Sequence, residues 1–168
     1  MNLIFRLLSV ILGAWRRPKL GVNEVFALSF RVWPLDLDLN LHMTNSRYLA
    51  LMDLGRVDML LRSGVWRQMH RQKLGMVLGG AALRFRRPVA PFVRFSLATN
   101  VLGWDERWIY VQQVFSVPEG VACGAVVRAA FTKEGRLVPP TTVLNAVPQQ
   151  DPPSWTKEWA EVESAFAG

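Results

Sequence analysis

The chain has 168 residues, 51% of them hydrophobic and 20% charged, a composition that builds a domain with its own core and excludes a disordered polymer. One cysteine excludes a disulfide within the chain, which suits a reducing compartment. Two histidines beside it fall short of the four close ligands of a structural zinc, so no metal is expected. The net charge of +7 asks for an anionic partner (nucleic acid, anionic lipid or a phosphorylated small molecule) without choosing among them.

In chain order, residues 3–15 are nearly all apolar, interrupted by Arg6, and too short for a spanning helix, which needs about 20 apolar residues. Asn2, Arg6, Ser9 and Gly13 recur at helical intervals and form one narrow stripe; Trp15 closes the run, and Arg16, Arg17 and Lys19 follow. A secretory signal places its basic residues ahead of the apolar run, whereas most follow it here, so a cleaved or spanning segment is disfavoured. Two readings of an N-terminal helix over 1–20 stay open. Residues 2–17 lie on a membrane surface, or the helix packs on the domain or on a partner.

Val25, Ala27, Ser29 and Arg31 alternate with Phe26, Leu28, Phe30 and Val32, which predicts a strand over 24–33 ended by Pro34. After an irregular, polar-studded stretch, a helix is expected from near Asn45, where Thr44 and Asn45 are good N-caps, to about Arg62, with Ser63 and Gly64 as its stop. Leu49, Leu51, Met52, Leu54, Val57, Met59, Leu60 and Leu61 are too many for one surface stripe, so this helix should be covered on more than one side. A short basic helical piece is expected over 65–72. Four long strands then read at 76–87, 92–102, 107–117 and 121–132, separated by PVAP, GWDE and PEG, with a turn at 133–135 leading to a short segment near Leu137. One strand, one largely buried helix and four consecutive strands of about twice the usual length predict an α+β class with an antiparallel sheet that curls around something. An amphipathic helix capped by Ser154 is expected over 154–166. The domain reading is an N-terminal helix at 1–20, the main domain at 21–148 and a helical tail at 149–168.

No GxSxG elbow, Walker A loop or GxGxxG fingerprint is present. The informative stretch is DLDLNLHMTNSRY at 36–48. It resembles the DxDxxGHxxNxxY signature of the 4-hydroxybenzoyl-CoA thioesterase class of hotdog proteins, matching without a gap at Asp36, Asp38, His42, Asn45 and Tyr48. YLALMDLGR at 48–56 is similar to that family's YLxxxExxR, FRRP at 85–88 resembles its strand-ending YxxP, and GRLVP at 135–139 resembles its closing hairpin. The likeness covers about residues 24–140 in the right order. The apolar leader and HMTN at 42–45 resemble the branch related to thioesterase superfamily member six. Leu41 stands where the family has a glycine, and Asp53 where it has a glutamate; both departures bear on catalysis more than on fold.

The resemblance implies a hotdog fold, a long antiparallel sheet wrapped around a central helix. It implies protomers joined through their sheets in a homodimer or dimer of dimers, with sites at that interface. The substrate would be an acyl-CoA or other acyl thioester of lipid metabolism, with no cofactor beyond the coenzyme A that the substrate carries. Asp38 would be the nucleophile or general base, and Asn45 would orient the water or the thioester. The start of the Asn45 helix would polarise the carbonyl oxygen. His42 is a further catalytic candidate, and Tyr48 would line the acyl tunnel. Asp53 is a substrate-side candidate that could equally pair with Arg47 or Arg56 along the helix. Arg84, Arg86 and Arg87 are candidates for the phosphates, the first two sharing a strand face by the period-two rule. Asp36 reads as a turn or cap residue, His70 as surface and Cys123 as core. A non-catalytic acyl- or lipid-binding protein at a membrane surface is the alternative, favoured by Leu41 and Asp53. Nucleic-acid binding rests on charge alone and is disfavoured, because no binding module accompanies the arginines. The expected location is cytoplasmic, peripheral at the inner face of a membrane if the leader lies there.

Overall fold

A computed structural model describes residues 3–144, 147 and 150–164. Helix α1 (Leu3–Arg16) precedes strand β1 (Phe26–Arg31), a 3-10 turn (Pro34–Asp36), and helices α2 (Asn45–Arg62) and α3 (Val65–Gln72). Strands β2 (Gly75–Phe85), β3 (Arg94–Trp104), β4 (Ile109–Val117), β5 (Gly120–Lys133) and β6 (Arg136–Val138) follow, then α4 (Thr141–Leu144) and α5 (Thr156–Ser164). The sheet runs β1-β3-β4-β5-β2 with every pairing antiparallel, and β6 extends it on the last residues of β5. The α+β class and the buried-helix arrangement implied by the sequence are therefore found. Helices α2 and α3 occupy the expected spans, α1 stops at Arg16 short of the expected 20, and the four long strands differ from expectation by at most two residues at an end.

The sheet curls for local reasons. Bulges fall between Leu78 and Gly80 in β2 and between Val101 and Gly103 in β3, and each adds bend and twist to its strand. The first is possible because Gly79 lies against the Trp108 ring, where a Cβ would come within 2.3 Å of it. Helix α2 lies across the inner face of the sheet, with Gly55 at the closest approach: a Cβ there would lie 2.6 Å from Thr99 Oγ1 and 2.8 Å from Gln113 Nε2. Buried Gln113 fastens the contact. Its Nε2 donates to Met52 O at 2.9 Å and to Thr99 Oγ1 at 3.0 Å, and its Oε1 accepts from Arg56 Nη1 at 2.6 Å. Burial lowers the pKa of the Arg56 guanidinium, and the neighbouring Asp53 works against that shift.

One apolar cluster, built on Leu51, Met52, Phe95, Leu97 and Phe115, fills the space under the first half of α2; a second, built on Met59, Met69, Trp104 and Phe131, fills the other end. On its far side α2 is covered by α1, which buries Arg6, Val10 and Ala14. This second cover accounts for the surplus of apolar positions in α2. The tail folds back on the sheet: Trp104 N donates to Gln150 O at 3.1 Å, and the Arg128 guanidinium lies 5.9 Å from the Trp159 ring centre. Ser154 does not cap α5. The Pro153 carbonyl takes the Thr156 N–H at 3.0 Å and its hydroxyl at 2.8 Å, so the helix opens at Thr156. Residues 165 and 166 of the expected helix lie outside the described residues.

Candidate active site

The loop between β1 and α2 carries most of the stretch that resembles the family signature, and its base is ionic. Asp36 is fully buried. Its Oδ2 accepts from Arg6 Nη2 and from Trp33 N at 2.9 Å, and its Oδ1 pairs with Arg47 Nε at 3.1 Å. A lone carboxylate at such a depth would be too costly to keep ionised, and two guanidinium groups make it tolerable. The Asp36 carbonyl accepts the Thr44 N–H at 2.9 Å, which closes the base of the loop. Asp36 is thus a cap, as its sequence position suggested, and also the hub joining α1, the loop and α2. Leu37 and Met43 form a bridge pair, and Met43 N donates to Val89 O at 2.9 Å, tying the loop to the segment beyond β2.

At the tip, Asp38 and Leu41 close a turn, with Leu41 N donating to Asp38 O at 3.1 Å and Asp38 N donating to His42 O at 2.9 Å. The Asp38 side chain folds over that turn, its Oδ1 accepting from Asn40 N at 2.8 Å and His42 N at 3.3 Å. Short polar side chains stabilise turns in this way. One oxygen of the exposed carboxylate is thereby fixed, and Oδ2 has no partner among the described residues. Leu41 has φ of 58°, a left-handed conformation that glycine adopts freely and a leucine resists. The glycine that the resemblance expects here is therefore a backbone requirement, which this chain meets with a strained leucine whose side chain is 66% exposed.

Helix α2 starts immediately beyond. Thr44 is its N-cap by backbone angles, but its hydroxyl makes no cap bond. The N–H groups of Asn45 and Ser46, which no helical carbonyl can reach, are left to solvent or a ligand, and the positive end of the helix dipole lies with them. The fold therefore groups Asp38, His42 and Asn45 around one exposed turn and one open helix end.

The other expected site residues lie elsewhere. Tyr48 is 2% exposed, stacked edge-on against Phe85 at 5.2 Å and Phe115 at 4.9 Å between ring centres, and burial pushes its phenol up to about 12. In the single chain its ring is part of the core. Asp53 is exposed and pairs with Arg56, the nearer of the two arginines considered; Arg47 is committed to Asp36. Eight residues of helix put Asp53 about 12 Å along the axis from Asn45. Arg84 and Arg86 share an open depression of about 470 Å³ on the outer face of β2, β4 and β5, whereas Arg87 turns aside to the Glu119 carbonyl. His70 is exposed, and Cys123 is buried, its thiol pushed up to about 11 by that burial. Arg6 and Arg47 are the residues that sequence reasoning missed. The signal for Arg6 was present: a cation inside an apolar helix must find a counter-charge.

Residues 32–159 match the model of the thioesterase-like superfamily. Protein THEM6 of Xenopus laevis is 40% identical over 84 residues, which is 50% of this chain and 41% of that protein. The chain spans about half the length of the curated relatives it matches. Two solved structures share the curled sheet around a helix. One is YbaW of Escherichia coli, described as a "probable thioesterase", with a TM-score of 0.65 at 21% identity over 68% of this chain and 89% of that one. The other is SAV2348 of Staphylococcus aureus, solved in complex with CoA, with a TM-score of 0.61 at 12% identity over 82% of this chain and 92% of that one.

Proposed function

The chain belongs to the thioesterase-like superfamily, and from that premise we propose that it hydrolyses acyl-CoA thioesters with Asp38 as the reacting carboxylate. The observation that carries the proposal is the setting of Asp38. One of its oxygens is held by two backbone N–H groups, the other is open, and α2, whose N-cap makes no side-chain cap bond, starts three residues after His42. As a nucleophile, Oδ2 would add to the thioester carbonyl and the C–S bond would break. The coenzyme A thiolate would leave and take a proton, and water would then open the acyl anhydride. As a base, Asp38 would instead take a proton from the attacking water and return it to the leaving thiolate. In either route the carbonyl oxygen gains negative charge, which the Asn45 and Ser46 N–H groups would receive.

The working unit we propose is a homodimer. Strand β2 is an uncovered sheet edge of 11 residues, with Val77, Leu78 and Phe85 exposed along it. The loop bearing Asp38 is tied through Met43 to Val89 just beyond that edge, and Leu39 and Leu41 are exposed at its tip. A second β2 on this edge would shelter those leucines and give the acyl chain an apolar wall. Arg84 and Arg86 are the proposed phosphate contacts; the CoA-bound neighbour supports a coenzyme A substrate without assigning its residues.

The test is thiol release from acyl-CoA substrates running from acetyl to stearoyl. Asp38→Asn should lower kcat about 10²- to 10⁴-fold while leaving the melting temperature unchanged. Turnover equal to the parent's would sink the assignment. The strained Leu41 favours a second reading, a non-catalytic acyl binder. Thiol release absent at every chain length, with acyl-CoA still raising the melting temperature, would establish that reading instead.

A further inference from the structure

Helix α1 is turned the unexpected way round. Its ionic residue Arg6 faces inward with Val10 and Ala14, while Ile4, Phe5, Leu8, Leu12 and Trp15 face solvent. The inward turn is fixed by chemistry, since Arg6 donates to buried Asp36 and, at 3.0 Å, to Arg31 O. Arg17 adds a second clamp at 3.1 Å from buried Asp58. The apolar arc is consequently held outward by two ion pairs, and Trp15 at its end is 72% exposed. Exposed apolar stripes of this width are uncommon on soluble surfaces and mark interaction sites.

What surrounds the stripe selects its partner. Beside Trp15 lies a depression of about 440 Å³ that it shares with Lys19, Trp66 and Arg67. Trp66, on α3, is 52% exposed. Neither α1 nor α3 contains an acidic residue, and Arg16, Arg67 and Arg71 stand exposed on them. On the opposite flank of α1, Arg31 and Arg94 lie directly across from each other on β1 and β3, in a depression of about 660 Å³ that Arg17 also lines. Like charges opposed on neighbouring strands are unfavourable unless an anion shares them. An apolar stripe ending in two indoles and flanked by cations is the pattern of a helix lying in a phospholipid interface. A second copy is the poorer occupant, because a two-fold contact through this face would set the basic rim against itself. With 14 residues, α1 is about 21 Å long, short of the hydrocarbon thickness, and no described helix is long and apolar enough to cross a membrane.

We propose that α1, with Trp66 and the cations beside it, docks the protein flat on an anionic phospholipid surface. The proposal is independent of hydrolysis at Asp38. The experiment uses the full chain and co-sedimentation with vesicles of phosphatidylcholine alone or with 30% phosphatidylglycerol. Binding should be at least tenfold tighter to the anionic vesicles and should weaken as salt rises. The double variant Phe5→Glu, Leu12→Glu changes only exposed positions; it should lose that binding while keeping its circular dichroism and melting temperature. Lys19→Glu with Arg67→Glu should remove the preference for anionic vesicles. Equal binding by the Phe5, Leu12 variant overturns the proposal, as does indifference to lipid charge. So does an oligomer that dissociates in that variant while vesicle binding stays unchanged, which would assign the stripe to a second copy. If the Glu pair fails to fold, Phe5→Ser with Leu12→Ser carries the same readout.

Discussion

Asp36 and Asp38 stand two residues apart on one loop, and the chain treats them in opposite ways. Asp36 is sealed in the protein with two arginines on its oxygens; Asp38 sits on an exposed turn with one oxygen held by backbone and the other open. The base of the loop is ordered by charge pairing drawn from two helices, the tip by the local turn of Asp38, Asn40, Leu41 and His42. The difference teaches a division of labour. Under the proposed function the reacting carboxylate, Asp38, has to remain accessible, so its position would be guaranteed by a neighbour that is not. The comparison fails if the two aspartates prove interchangeable in what they control.

The largest expected effect is at the tip and is purely kinetic. Asp38→Asn should raise the barrier to hydrolysis by about 3–5 kcal/mol, the equivalent of its predicted loss in kcat, with the urea unfolding midpoint preserved. At the base the balance reverses. Asp36→Asn keeps the volume but leaves the buried Arg6 guanidinium facing a neutral amide, and breaking a buried pair on one side costs about 3–5 kcal/mol. Urea unfolding should record that loss directly, and the residual activity should fall in proportion to the folded fraction rather than through an altered KM. Comparable stabilities of the two asparagine variants would refute the division.

Arg47→Gln sharpens the same point at smaller scale. Arg47 is partly solvated, and besides meeting Asp36 it donates from Nη2 to Leu35 O at 2.8 Å. Its loss leaves Asp36 still paired with Arg6, so a cost of about 1–2 kcal/mol is expected, between the surface and buried limits. A cost as large as that of Asp36→Asn would mean that Arg6 contributes little and that α1 is fastened by Arg17 instead.

Much of this was legible in the order of residues, and the reason is locality. The bounds of α2 follow from Thr44, Asn45 and the Ser63, Gly64 stop, all within a turn of the helix ends. The tip is equally local: Asp38, Asn40, Leu41 and His42 make one turn within five residues, and the resemblance of that stretch to a family signature is what marks it as a candidate site. The base was not. Arg6 and Asp36 are 30 residues apart, and nothing short of the fold says that they meet. For the same reason the narrow stripe of α1 could be seen in the sequence but its direction could not, since the partner that pulls Arg6 inward lies beyond β1. Tyr48 shows the same limit. The resemblance implies that it lines an acyl tunnel, but no local pattern says that Phe85 and Phe115, brought in from two strands far along the chain, would enclose its ring.

Leu41 tests whether the tip is as independent of the base as the ion pairs imply. Replacing it with glycine relieves a left-handed leucine, worth about 1 kcal/mol, while the freer unfolded glycine removes about 0.5–1 kcal/mol. The two nearly cancel, and an exposed side chain leaves no cavity behind, so the unfolding free energy should move by less than about 1 kcal/mol. The effect belongs in the chemistry. Under the proposed function, clearing the leucine from the turn beside Asp38 would open the approach to the start of α2, and kcat/KM for acyl-CoA should rise about three- to tenfold, close to 1 kcal/mol. A rise with unchanged stability would locate the constraint in the tip alone. A Leu41→Gly protein that is less stable by 2 kcal/mol or more would show instead that the strained turn helps to hold the Asp36 base, and the two halves of the loop would then have to be treated as one.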